Sequence, residues 1–176
     1  RYFGARGGVT VSGGEPLLQL DFLIELFTIL KGQGIHTCAD TSGICFSQED
    51  ERYLKLLEVT DLFLLDLKHI EEEEHRALTG RSNAAPLAFA RFLSLHRKPV
   101  WIRHVLVPGL TDRNESLLRL RAFIDTLSNV EKVEVLPYHT MGEVKYEKLG
   151  MKYPLAGVTP PARERIANAE RILSGK

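Results

Sequence analysis

Val9-Thr10-Val11-Ser12-Gly13-Gly14-Glu15-Pro16 joins a short β-branched run to a glycine-bearing turn. Phe22, Leu23, Leu26, Phe27 and Leu30 then recur near helical spacing, and Gly32 and Gly34 close the helix. Ile35-His36-Thr37-Cys38-Ala39 is a second extended run, and Asp40-Thr41-Ser42-Gly43 ends it. A strand, an amphipathic helix and another strand in succession form a βαβ unit, whose strands lie parallel with a right-handed crossover.

The same alternation continues to the carboxyl end. Ser47 and Asp50 resemble the start of a helix carrying Tyr53, Leu54 and Leu57. Leu62-Phe63-Leu64-Leu65 is apolar at every position, which predicts a strand buried on both faces, and it ends in Asp66-Leu67-Lys68. An acidic helix is expected near Glu71–Leu78 and another near Ala85–His96. Pro99–Val107 reads as a fourth strand, broken by Pro108-Gly109. Asp112 and Glu115 fit an N-cap and its third helical position, ahead of a stripe of Leu117, Leu120, Ile124 and Leu127. Val133–Leu136 is a fifth strand ending in Pro137-Tyr138-His139. Tyr146–Tyr153 reads as irregular, and Pro160 or Pro161 opens a last helix with Ile166, Ala169, Ile172 and Leu173 inward. The expected fold class is α/β: five parallel strands with outer helices, as an open sheet or part of a barrel, in one domain over residues 1–176.

Composition narrows the function. The 176 residues contain 44% hydrophobic and 26% charged residues, an ordinary globular balance. Lys plus Arg equals Asp plus Glu at 23 each, which argues against a nucleic-acid binder or a basic membrane-surface protein. No apolar run is long enough to span a bilayer. Cys38 and Cys45 make neither a disulfide framework nor zinc-ligand spacing and read as reduced thiols.

Parallel α/β sheets bind ligands at the carboxyl ends of their strands. In this chain those ends carry Gly13, Gly14 and Glu15, then Asp40 and Thr41, then Asp66 and Lys68, and finally His139. All are expected to meet on one rim. Each also has a plain structural reading. The glycines serve a tight turn as readily as a ligand approach, and Glu15 serves as a solvated helix-start carboxylate or as an ammonium acceptor. Asp40 and Asp66 cap helices or hold a cation. Lys68 and His139 have surface and structural roles open to them. Arg103 lies in the apolar run Trp101-Ile102-Arg103 and needs a partner there, Asp66 or a neighbouring acid. Glu71–Glu74 reads as a solvated first helical turn, not a metal site.

Gly7-Gly8-Val9-Thr10-Val11-Ser12-Gly13-Gly14-Glu15-Pro16-Leu17-Leu18-Gln19 resembles the SGGE region of radical S-adenosylmethionine (SAM) enzymes. Gly34-Ile35-His36-Thr37-Cys38-Ala39-Asp40-Thr41-Ser42-Gly43 narrows the resemblance to glycyl-radical-enzyme activases. Leu65-Asp66-Leu67-Lys68, Trp101-Ile102-Arg103, Val107-Pro108-Gly109, Val130–His139 and Lys145–Pro161 continue it, so it covers essentially the whole chain. The resemblance implies a (β/α)6-type partial TIM barrel, and a full-length parent enzyme that cleaves S-adenosyl-L-methionine at a 4Fe-4S cluster. The resulting radical takes a hydrogen atom from one backbone glycine of pyruvate formate-lyase. The implied cofactor-binding residues are Gly13, Gly14, Glu15, Asp66, Leu67, Lys68, Arg103 and His139, with a monovalent cation at Asp40, Thr41 and Asp66. The implied partners are pyruvate formate-lyase and an electron donor such as flavodoxin, in the cytoplasm, with no nucleic acid and no membrane.

One departure stands out. The family's CxxxCxxC cluster motif is absent, and Cys38 and Cys45 lack its spacing and its third thiolate. The chain therefore reads as the carboxy-terminal part of an activase lacking its first βα unit, expected to hold no cluster and to be inactive alone. Its first strand is then expected to lie at a sheet edge through which the fragment self-associates. The alternatives are an activase of a different glycyl radical enzyme and a cluster-less SAM-binding or partner-binding module.

Overall fold

The computed structural model describes residues 7–175. Five strands, β1 (Gly8–Val11), β2 (His36–Thr41), β3 (Leu62–Asp66), β4 (Val100–Leu106) and β5 (Val130–Pro137), form one sheet in the order β1-β2-β3-β4-β5. Every neighbouring pair is parallel. Between them run α1 (Leu20–Gly32), α2 (Arg52–Val59), α3 (Glu72–Thr79), α4 (Ala84–Leu95) and α5 (Asn114–Ile124), and β5 is followed by α6 (Glu143–Lys148) and α7 (Arg163–Ser174). Each crossover returns the chain to the same edge of the growing sheet, so all carboxyl ends face one way.

One face of the sheet is packed by helices. Ala39, Phe63, Leu65, Val100, Ile102 and Leu106 point into a core closed by Leu23 and Phe27 of α1, Leu56 of α2, Phe89 and Leu93 of α4, Leu117 and Leu120 of α5, and Leu173 of α7. Phe89 sits at its centre, with ring centroids 5.0 Å from Phe46, 5.5 Å from Phe63 and 5.8 Å from Tyr53. The alternate residues Leu62, Leu64 and Trp101 face the other way and are half-buried outside this core. The expectation that β3 is buried on both faces is therefore corrected. Helices cover one side only, and the alternation of the strand sends every second residue to the open side.

Gly8 explains the close start of β1. A Cβ there would lie 2.6 Å from the backbone oxygen of His36, its partner in register, so a side chain would force the strands apart.

Local details correct four expectations. The second helix starts at Arg52, not Ser47: Ser47 closes a turn to Asp50, whose carboxylate accepts the Arg52 N–H at 3.1 Å. Leu54 of that helix is exposed, whereas Tyr53 and Leu57 are buried. Asp112 does not cap α5. Its two oxygens accept the Gly109 N–H at 2.9 Å and Arg165 Nε at 3.1 Å, so it ties the β4 turn to α7. Residues 146–153 are not wholly irregular, since α6 runs through Lys148 before Gly150 turns the chain.

Candidate functional site

The strand ends assemble a polar rim. Asp66 and Arg103 are partners in register on β3 and β4, and Arg103 lies on the helix-free side. Arg103 Nε donates to Asp66 Oδ1 at 2.8 Å, and its Nη2 reaches Asp40 Oδ1 at the end of β2. Lys68 Nζ donates to Asp66 Oδ2 at 2.7 Å, and Ser12 Oγ donates to Asp40 Oδ2 at 3.1 Å. The result is a chain of alternating charge, Asp40–Arg103–Asp66–Lys68, running from the ends of β2 and β3 to the middle of β4. Arg103, Asp40 and Asp66 side chains are only 16–19% exposed. Burial works against the Arg103 guanidinium, but Asp66 and then Asp40 outweigh it and hold the proton more firmly than usual.

Glu15 has a different environment. Its Oε1 accepts the Leu17 N–H at 3.1 Å and the Thr41 hydroxyl at 2.5 Å, and its Oε2 accepts the Ser42 N–H at 3.0 Å and the Ser42 hydroxyl at 2.6 Å. Four donors of the chain itself occupy this carboxylate. It caps the 3-10 turn Pro16–Gln19 and pins the β1 turn to the β2 turn. The Gly13-Gly14 turn therefore stands on a rigid base. Gly13 has φ +133°, which L side chains rarely adopt, and a Cβ at either glycine would meet no atom within 4 Å. That open backbone surface borders Ser12, and through it Asp40.

The structure thus brings Asp40, Asp66, Lys68 and Arg103 into one bonded cluster, with Gly13 and Gly14 beside it through Ser12. Thr41 lies on the opposite face from Asp40, its hydroxyl committed to Glu15, so only its main-chain oxygen is left to offer the rim. Leu67 is buried, and its carbonyl accepts from the ring of His104 at 2.9 Å. His139 follows β5, is exposed and touches none of the four charged residues. Ser12 was not singled out in the sequence. Only the parallel register, which carries β1 past β2 to Asp40, identifies it.

The residues present fit the amino-acid end of S-adenosyl-L-methionine. Lys68 and Arg103 are cations suited to a carboxylate, while Asp40, Asp66 and the uncovered Gly13-Gly14 backbone suit an ammonium group. They do not fit a four-iron cluster. Cys38 is buried on β2, and burial pushes its thiol up against the smaller opposing effect of Thr10. Burial and Glu15 push the Cys45 thiol up as well, against Arg81. Two thiols held protonated are not three thiolates. Among the described residues no three His, Cys, Asp or Glu side chains gather as a metal site.

Comparison with known proteins gives the family and the fold. Residues 2–121 match the pattern of the Radical SAM superfamily. The chain is 54% identical over 175 residues to the pyruvate formate-lyase-activating enzyme of Streptococcus mutans, covering 98% of this chain and 66% of that protein. It is 53% identical over 170 residues to the enzyme of the same name from Listeria monocytogenes, covering 95% and 68%. The chain thus spans about two thirds of the length of these curated relatives. A crystal structure of a domain of pyruvate-formate lyase-activating enzyme from Bacteroides vulgatus superposes with a TM-score of 0.78 at 26% identity, covering 96% of this chain and 93% of that one. The expected architecture of five parallel strands flanked by helices, and the resemblance that suggested a partial barrel, both hold. The chain belongs to the radical SAM superfamily and, within it, to the pyruvate formate-lyase-activating enzyme family.

Proposed function

We propose that the protein carrying this chain is an activase that removes one hydrogen atom from a backbone glycine of pyruvate formate-lyase, and that this chain supplies the floor on which S-adenosyl-L-methionine lies. The observation that carries the reading is the ion chain Asp40–Arg103–Asp66–Lys68, which joins the carboxyl ends of β2 and β3 to the middle of β4. Bound there, S-adenosyl-L-methionine supplies the hydrogen-abstracting group of the family's chemistry.

The chain's own residues bind and orient. Arg103 and Lys68 exchange part of their pairing with Asp66 for the ligand carboxylate. Because the acids and bases are already paired, a ligand of opposite paired charges enters without leaving a buried charge alone. The main chain of Gly13, Gly14 and Asp66 meets the methionine end, Leu67, whose own N–H and carbonyl are taken by Arg103 and His104, seats Lys68 beside it, and Glu15 acts through the turn it braces. His139, free on the β5 side, lies toward the ribose or sulfonium. A monovalent cation at Asp40, Asp66 and the Thr41 main chain belongs to the same proposal, and it requires the Arg103 guanidinium to leave the space between the two carboxylates.

An electron donor such as flavodoxin and a cytoplasmic location complete the proposal. No helix among the described residues is long and apolar enough to cross a membrane. The single domain over residues 1–176 and self-association of the isolated chain through the β1 edge are further parts of it. Among the described residues β1 pairs with β2 alone.

The test uses the full-length protein, anaerobically, with pyruvate formate-lyase. Glycyl radical detected by paramagnetic resonance, with methionine formed in step, supports the proposal. Methionine release with no radical on that partner, but radical on another glycyl radical enzyme, moves the assignment to that enzyme.

A further inference from the structure

A second hollow opens at the same end of the sheet, beyond β3 and β4. It measures about 200 Å³ and is walled by Leu78 of α3, Leu110 after β4 and Leu155 after α6, with His69 and Glu74 as its polar groups. His69, one residue past Lys68, is 4% exposed. Its Nδ1 accepts the Glu71 backbone N–H at 3.1 Å, so the neutral ring carries its hydrogen on Nε2. Burial favours that neutral ring, against the nearby Glu74. Nε2 is buried and has no hydrogen-bond partner in the structure. Buried donors are nearly always paired, so an orphan at an aliphatic hollow points to a ligand that brings an acceptor.

Glu74 says which acceptor. Its side chain is 43% exposed, one oxygen pairs with Arg113, and the other, open to solvent, is free to accept. A donor and an acceptor lining one apolar cleft match the carbonyl and N–H of a single secondary amide. A carboxylate ligand would meet the Glu74 charge, and an ammonium has no acceptor to offer His69 Nε2. We propose that this cleft receives one peptide unit bearing a small aliphatic side chain, contributed by a protein docked on the rim. The carbonyl accepts from His69 Nε2, the N–H donates to Glu74, and the side chain lies among Leu78, Leu110 and Leu155. That the amide comes from a protein rests on the proposed activity, whose substrate is a protein. The chemical class of the ligand rests on the cleft alone.

The experiment is a nuclear magnetic resonance titration of the 176-residue chain, its histidines labelled with ¹⁵N, with N-acetyl-L-alanine N′-methylamide. A ligand of that size is expected to saturate in the millimolar range. The expected result is a saturable shift of the His69 ring nitrogens, absent in Ala77→Trp, whose indole fills the mouth of the cleft from the exposed side of α3. In His69→Phe, followed through the Leu78 and Leu110 methyl groups, binding weakens about tenfold, the loss of one good hydrogen bond. A titration without saturation to about 100 mM, an equal shift in Ala77→Trp, or tighter binding of acetate than of the amide overturns the proposal. None of these signals involves radical formation, so the cleft can fail while the activase reading stands, and the reverse.

Discussion

Glu15 and Asp66 are both carboxylates at the carboxyl end of the same sheet, and they have opposite surroundings. Glu15 takes four hydrogen bonds from neutral donors of Leu17, Thr41 and Ser42 and no cation. Asp66 takes its bonds from Arg103 and Lys68, both cations. Backbone and hydroxyl donors are fixed by the fold and cannot leave without breaking it. Cationic side chains rotate and can pass from a protein carboxylate to a ligand carboxylate. Glu15 is thus a carboxylate that builds the rim, whereas Asp66 holds cations that a ligand carboxylate can draw away.

The largest effect expected is on stability, at Glu15. Glu15→Leu strips the partners from the buried Thr41 hydroxyl and the Ser42 N–H, and should cost about 3 kcal/mol in chemical denaturation. A loss below about 0.5 kcal/mol would erase the contrast with Asp66. His139→Ala sharpens it from the other side. An exposed residue with no partner on the rim should leave stability within about 0.5 kcal/mol while S-adenosyl-L-methionine cleavage in the full-length protein falls about tenfold. Unchanged cleavage would remove His139 from the site.

A smaller effect distinguishes the rim from the neighbouring buried histidine. Burial lowers the His69 pKa below its ordinary 6.5, so above that pH both folded and unfolded states hold a neutral ring. Below it the unfolded state takes up the proton first, and stability falls as pH drops through 6.5 toward the folded value. The denaturation midpoint should therefore decline between pH 6.5 and 5, and the decline should shrink in His69→Phe. An identical decline in that variant contradicts this assignment. The weakest effect expected is association through the β1 edge. Light scattering of the isolated chain at ~100 μM should show a dimer, since even micromolar affinity is populated there. A monomer at that concentration refutes it.

Strand–helix alternation made the fold legible, because period-two and helical stripes differ sharply between Val9 and Ala39. The rim was legible too, since a parallel sheet gathers its carboxyl ends whatever their separation in sequence. The partners were less so. Arg103 could be matched to Asp66 in advance, but its bond to Asp40 depends on side-chain reach across β3, which no spacing encodes. The commitment of Glu15 and Thr41 to each other depends on the faces to which their side chains turn. Asp112 reads as a cap in the sequence because it sits two residues before α5, where an acid commonly caps. The Gly109 turn and Arg165, 53 residues away in sequence, claim it instead. The His69 orphan has no sequence signature at all, because being unpartnered is a property of packing.

The central claim is that the ion chain, and not the Glu15 brace, holds the charged end of the ligand. It is tested most directly by the affinity of S-adenosyl-L-methionine for the full-length protein carrying Asp66→Ala, by calorimetric titration beside the unsubstituted protein. The account predicts affinity weakened at least tenfold, about 1.4 kcal/mol, with cooperative unfolding retained. An Asp66→Ala protein that binds S-adenosyl-L-methionine as tightly as the unsubstituted one would contradict it.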